Sequence, residues 1–198
     1  MMKVNRTMLS LKQLICALIL LSSAQVSARG PSIVHTKSGR VIDITALKAQ
    51  QPDQPLLVML WATHCKPCMI EGRFMAMISK HFKARLHFAA IQVDEGVSIN
   101  PASARKIYEK LKSKLTSYGV PKGSILPDAY LADYSNEVWA ELQRGSRFNS
   151  KDTSIPLFAL FNRDRKLIKI WTQAIYEDRH MIVDFISEIE RVLHKENG

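Results

Sequence analysis

Between Leu56 and Phe82 the chain reads LLVMLWATHCKPCMIEGRFMAMISKHF, and this stretch sets what the rest can fold into. Six consecutive apolar residues, Leu56–Trp61, follow Pro55. Such a run without alternation marks a strand covered on both faces. After Ala62, Thr63 and His64 come Cys65, Lys66, Pro67 and Cys68, and apolar residues then recur at helical spacing at Ile70, Phe74, Met77, Ile78 and Phe82. The stretch is a buried strand, a dithiol and a helix in succession.

A Cys-x-x-Cys pair at a strand-to-helix junction places the first sulfur where unpaired backbone N–H groups and the positive end of the helix dipole favour an anion. The Cys65 thiolate is then easier to form. Lys66 adds a positive charge, and Pro67 suits a first helical turn, where its missing N–H is not needed. Two ordinary core cysteines, half of a zinc site and a copper(I)-binding thiolate pair are the competing readings. A zinc site of the usual kind needs two further Cys or His ligands at matched spacing, and no second pair is present. Met59, Met75 and Met77 read as core packing and not as copper ligands.

The 198 residues are 46% hydrophobic and 23% charged, which fits one globular domain. Residues 1–28 stand outside it. Lys3, Arg6 and Lys12 form a basic leader, Leu14–Leu21 is an apolar core too short to span a bilayer comfortably, and Val26-Ser27-Ala28 supplies small residues for signal peptidase. We expect a secretory signal cleaved near Ala28, leaving residues 29–198 as the domain in a periplasmic or other extracytoplasmic space. An uncleaved N-terminal anchor is the alternative. Cys16 is poorly placed as a lipid anchor, because it lies inside the apolar core and not after it. Cleavage removes Lys3, Arg6 and Lys12 but no acid, lowering the formal charge from +10 to +7. It also removes Cys16, so Cys65 and Cys68 remain as a pair able to cycle between dithiol and disulfide in an oxidising compartment. Lys and Arg are scattered, without the aromatic-interleaved basic motif of RNA-binding modules, which argues for solvated faces and against a nucleic-acid partner.

Along the chain, Ile33–His35 and Val41–Ile44 flank Lys37-Ser38-Gly39-Arg40 as a hairpin, and Gln50–Pro55 is a connector. Leu86–Val93 is the strand after the first helix. A second helix is expected from Asn100 to Tyr118, with Gly119 closing it. Val120–Pro127 is a loop, Ala129–Leu131 a short strand, Ser135–Leu142 a short helix and Gln143–Ser154 a polar loop. Leu157–Phe161 and Leu167–Thr172 form an antiparallel hairpin about Asn162–Arg165. The last helix runs from about Glu177 to His194, with Met181, Ile182, Phe185, Ile186, Ile189, Val192 and Leu193 on its apolar face. A parallel crossover followed by a hairpin and a closing helix makes an α/β domain, a mixed central sheet with helices on both faces.

Trp61-Ala62-Thr63-His64-Cys65-Lys66-Pro67-Cys68 resembles the W-A-x-x-C-x-P-C signature of the thioredoxin superfamily. Ser154-Ile155-Pro156 before an apolar strand resembles its cis-proline segment. The chain is most similar to the extracytoplasmic TlpA/ResA-like branch, through its signal peptide, its N-terminal hairpin, Glu71 three residues beyond the second Cys, and the inserted helical segment before the cis-proline. It departs from that branch at Arg73, where a proline is usual, at His64, where a tryptophan is usual, and at Met59, where a buried acid or amide is usual. Its inserted segment is also longer.

The resemblance implies a thioredoxin-like fold and an enzyme, a thiol–disulfide oxidoreductase, most simply a reductase. A disulfide oxidase or isomerase is the alternative. Cys65 would be the exposed nucleophile and Cys68 the buried resolving thiol. Glu95, at the end of the second strand, would take the proton from Cys68; a solvated Glu in an Asp-Glu-Gly turn is the competing reading. Pro156, with a cis bond, would face the cysteines and leave the Ile155 backbone to pair with an extended substrate strand. Trp61 would pack beside the dithiol. His64 either stabilises the Cys65 thiolate when protonated or stays idle in solvent, while Lys66 and Pro67 help set the potential. His precedes the first Cys, so the order is not that of haem attachment. The redox-active disulfide serves in place of a cofactor and no metal is expected. The implied partners are cysteine-containing exported proteins and a membrane thiol shuttle, for example in cytochrome c maturation. Nothing in the sequence indicates an oligomeric state.

Overall fold

A computed structural model of the chain describes residues 31–82, 84–94, 129–133, 136–144 and 154–195, with a few single positions between 102 and 113. The expected signal segment, Glu95 and the loops over 120–127 and 145–153 lie outside the described residues. Of the expected second helix, Ala102, Arg105, Lys106, Glu109 and Ser113 are described, and all five carry helical backbone and are exposed.

Two strands, β1 (Ser32–His35) and β2 (Val41–Asp43), form the N-terminal hairpin, and helix α1 (Ile44–Ala49) follows directly. Then come β3 (Leu56–Trp61), α2 (Lys66–His81), β4 (His87–Asp94), β5 (Ala129–Asp133), α3 (Asn136–Gln143), β6 (Leu157–Phe161), β7 (Leu167–Trp171) and α4 (Arg179–Lys195). The strands make one seven-stranded sheet in the order β2-β1-β5-β4-β3-β6-β7. β3 pairs in parallel with β4, and β4 with β5; β6 runs antiparallel to β3, β7 to β6, and β1 to both β5 and β2. The hairpin therefore extends the sheet through β5 as its outer edge.

Every residue of β3 and β4 is buried. The two-residue period of a strand divides their side chains between two cores. Leu57, Met59 and Trp61 of β3, Phe88 and Ala90 of β4 and Phe158 and Leu160 of β6 pack against α2 and α4. Leu56, Val58 and Leu60, Ala89, Ile91 and Val93, and Leu157, Ala159 and Phe161 face the other way, toward Ile44 and Leu47 of α1 and Val138, Trp139 and Leu142 of α3. Helices thus cover both faces, as the unbroken apolar runs predict.

Three readings need correction. The span given to the end of the hairpin conceals α1: Asp43 caps it, its Oδ1 accepting the Ala46 N–H at 2.6 Å, and Ile44 and Leu47 bury one face. On α2 the buried set is Cys68, Met69, Glu71, Phe74, Met75 and Ile78. Ile70 and Met77 are exposed, Met77 by 65%, so Met77 is not core packing. Cys68, Glu71, Phe74, Met75 and Ile78 recur three and four apart and set the helix's inward stripe; Ile70 and Met77, seven apart, fall together on its flank. The last helix begins two residues later than expected, after Asp178 accepts the His180 N–H at 2.7 Å.

Phe185 joins the elements on the α2 and α4 side. It is fully buried, with ring centroids 5.9 Å from Phe74 on α2, 5.5 Å from Phe158 on β6 and 4.7 Å from Trp171 on β7. Asp184 beside it accepts from Trp171 Nε1 at 3.0 Å and pairs with Lys169, fixing the edge strand to α4. Phe185→Ala should cost about 3–5 kcal/mol of unfolding free energy, read from urea denaturation.

Candidate active site around the Cys65–Cys68 disulfide

The site forms where β3 gives way to α2. Beyond Trp61 the Cys65 N–H returns to the Ala62 carbonyl at 3.2 Å, turning the chain into the helix. Cys65 is the N-cap, with Lys66 and Pro67 opening the first turn. The Cys68 N–H donates to Cys65 Sγ at 3.1 Å, so one of the orphan donors of the helix end is directed at the first sulfur. Cys65 and Cys68 are joined by a disulfide, with Cα atoms 5.3 Å apart. Cys65 is 7% exposed and Cys68 2%, so Cys65 is the outer sulfur and both lie largely under cover. Both belong to the core cluster that contains Trp61, while Lys66 and Pro67 are exposed.

The proline segment reaches the same end of the sheet. The Ile155–Pro156 peptide bond is cis. Leu60 pairs with Leu157 across β3 and β6, so Pro156, itself buried, stands one step further on, beside the end of β3 that leads into the dithiol. Ile155 is half-buried and packs against both cores.

Two carboxyl groups near the dithiol have no chemical role assigned from the sequence. Asp94, the last residue of β4, accepts through Oδ1 from the Thr63 N–H at 3.0 Å and the Thr63 hydroxyl at 3.2 Å. His64 Nδ1 lies 3.6 Å from that same oxygen, with the His64 side chain 73% exposed. The ring is thus placed against Asp94. Oδ2 accepts from Gln92 Nε2 at 2.5 Å. Asp94 is legible in the sequence as an acid at the end of the second strand; the resemblance points instead to its neighbour Glu95, which lies outside the described residues.

Glu71 is the second. It sits on α2 three residues after Cys68 and is fully buried. Its Oε1 accepts the Tyr176 N–H at 2.6 Å, and Oε2 has no hydrogen-bond partner among the described residues. Burial pushes the Glu71 carboxyl above the usual glutamate range, against the backbone hydrogen bonds from Tyr176 and Ile175, which favour the charged form. Its signal was an acid at a position the helical period turns inward. Among the described residues no group of three His, Cys, Asp or Glu side chains is arranged to hold a metal ion, and no helix is long and apolar enough to cross a membrane.

This is a thioredoxin-like fold, and solved structures agree. The chain is similar to a thiol:disulfide interchange protein of the thioredoxin family from Chlorobium tepidum, at 18% identity and a TM-score of 0.52, over 83% of this chain and 95% of that one. It is also similar to an uncharacterized thioredoxin-like protein from Porphyromonas gingivalis, at 16% identity and a TM-score of 0.54, over 84% and 91% of the two chains. No family model and no curated protein matches the sequence.

A carboxyl group whose proton affinity is raised in the folded state stabilises the fold fully only below its unfolded pKa, about 4.3 for glutamate. That contribution is lost as pH rises through the higher folded value. Glu71→Gln removes this dependence, so the variant should gain on the wild type as pH rises above about 4.3, by at most about 1.4 kcal/mol per pH unit. Urea unfolding of both proteins between about pH 4 and pH 8 measures the difference.

Proposed function

We propose that this chain is an extracytoplasmic thiol–disulfide oxidoreductase that acts on cysteine-containing exported proteins, and that it works as a reductase recharged by a membrane thiol shuttle. The observation that carries the reading is the Cys65–Cys68 disulfide capping α2, with the cis Ile155–Pro156 bond at the same end of the sheet. The basic, apolar leader supports an exported location, and Glu71 after the second Cys supports the TlpA/ResA-like branch.

In the reducing direction the Cys65 thiolate attacks one sulfur of a substrate disulfide. A mixed disulfide forms through Cys65, and the other substrate sulfur leaves as a thiolate and takes a proton. Cys68, losing its proton, then attacks Cys65 Sγ. The second substrate sulfur leaves and is protonated in turn, so two electrons have passed to the substrate and the Cys65–Cys68 disulfide has re-formed. The Cys68 N–H steadies charge on Cys65 Sγ during both steps. Glu71 is suited to take the proton from Cys68, because it lies one helical turn away, is shut off from solvent and has an oxygen without a partner among the described residues. An extended substrate segment is expected to pair with the Ile155 backbone beside Pro156, with Trp61, Lys66 and Pro67 around the reacting sulfur and His64, turned to Asp94, at the rim.

Cys65→Ser should abolish reduction of insulin disulfides, whereas Cys68→Ser should accumulate mixed disulfides with its partners, visible on non-reducing gels. The reduction potential of the pair should fall nearer the thioredoxin value of about −270 mV than the oxidising DsbA value of about −120 mV. A value at the oxidising end would replace the reductase reading with that of an oxidase.

A further inference from the structure

The reduction potential of a dithiol depends on how well its surroundings stabilise the thiolate of the reduced state, since the disulfide itself carries no charge. Donors and cations beside Cys65 therefore decide the poise. The Cys68 N–H already points at Cys65 Sγ. In the two residues that precede Cys65 the chain offers three more groups of the right kind: the Thr63 N–H, the Thr63 hydroxyl and the His64 ring. All three are turned to Asp94, at 3.0, 3.2 and 3.6 Å from its Oδ1. Asp94 is held in that position from behind, because Gln92, 2% exposed and on the same side of β4, donates to its other oxygen.

We propose that Asp94 is a positioning residue that keeps the Cys65–Cys68 couple reducing, by holding Thr63 and His64 away from the Cys65 thiolate and by adding a negative charge to its surroundings. The proposal rests on reading the pair as an exchange dithiol, and it specifies how that site is regulated. Withdrawal of the hydroxyl and N–H donors, attraction of the His64 ring and the carboxylate's own charge all raise the energy of the thiolate form and so favour the disulfide. Asp94 also anchors the turn from β3 into α2 to the neighbouring strand, so the geometry of the N-cap at Cys65 passes through the same contact.

The test is equilibration of the full domain with glutathione, in which one protein disulfide and two glutathione thiols give one protein dithiol and one glutathione disulfide. Asp94→Asn keeps an oxygen that can accept from Thr63 but loses the charge and the hold on His64. It should raise the equilibrium constant for reduction about tenfold, equal to about 30 mV for this two-electron couple. Asp94→Ala, which loses the anchor as well, should shift it at least as far, and urea unfolding of both variants separates this from a general loss of stability. An unchanged constant in Asp94→Asn, or a shift toward the disulfide, would overturn the proposal while leaving the oxidoreductase reading intact. A wild-type protein that does not equilibrate with glutathione would overturn both.

Discussion

Burial of β3 on both faces is the constraint on which the rest of the structure depends. A strand with no polar position needs a partner strand on each side for its backbone and a helical layer over each face for its side chains. β4 and β6 supply the first, and α2 with α4 and α1 with α3 supply the second. The requirement ends abruptly at Trp61, where the chain leaves the sheet at its C-terminal edge and must turn into α2. Cys65 stands at that turn. Its place is rigid because the strand behind it and the helix ahead of it are both fixed by the core.

The polar groups of the site are arranged around a strand that carries none. Met59 is 2% exposed and lies in the same core cluster as Cys65 and Cys68, so the strand brings no charged group to that side of the dithiol. Polarity returns on the neighbouring elements. Phe88, Ala90, Gln92 and Asp94 share one face of β4, so Gln92 and Asp94 continue the stripe that packs against α2 and arrive at the turn before Cys65. Glu71 arrives from the helix. The site is thus polar at its edges and dry beneath, which strengthens each remaining interaction between charges.

Much of this was legible in the chain because the signals were local. The apolar run Leu56–Trp61, the Cys-x-x-Cys spacing and the apolar stripe of the last helix each follow from a single period, and they place the sheet, the dithiol and α4. What escaped depended on partners far away in sequence. Ile70 and Met77 fit a helical period as well as Met69 and Met75 do, and only packing against Phe158 and Phe185 fixes which flank turns inward. Helix α1 is six residues long and has no repeated period to detect, although Asp43 before Ile44 and Leu47 is a cap with two anchors. Asp94 reads as the end of a strand; its contacts with Thr63 and His64, far earlier in the chain, exist only once β3 and β4 are parallel neighbours.

The two carboxyl groups beside the dithiol differ in what their surroundings permit. Asp94 has both oxygens engaged by donors from two elements, an arrangement that holds a carboxylate in one orientation and leaves it to act through position and charge. Glu71 has one oxygen tied to the Tyr176 N–H and the other unpaired among the described residues, in a site that raises its proton affinity. A buried acid in that condition costs stability when ionised and recovers some of it on taking a proton. The same hydrogen bond joins α2 to the loop before α4, so a change of charge at Glu71 is felt by the two helices that cover the dithiol face. The division follows from the fold: an acid at the strand end reaches the chain before Cys65, and an acid on the helix reaches the side of Cys68.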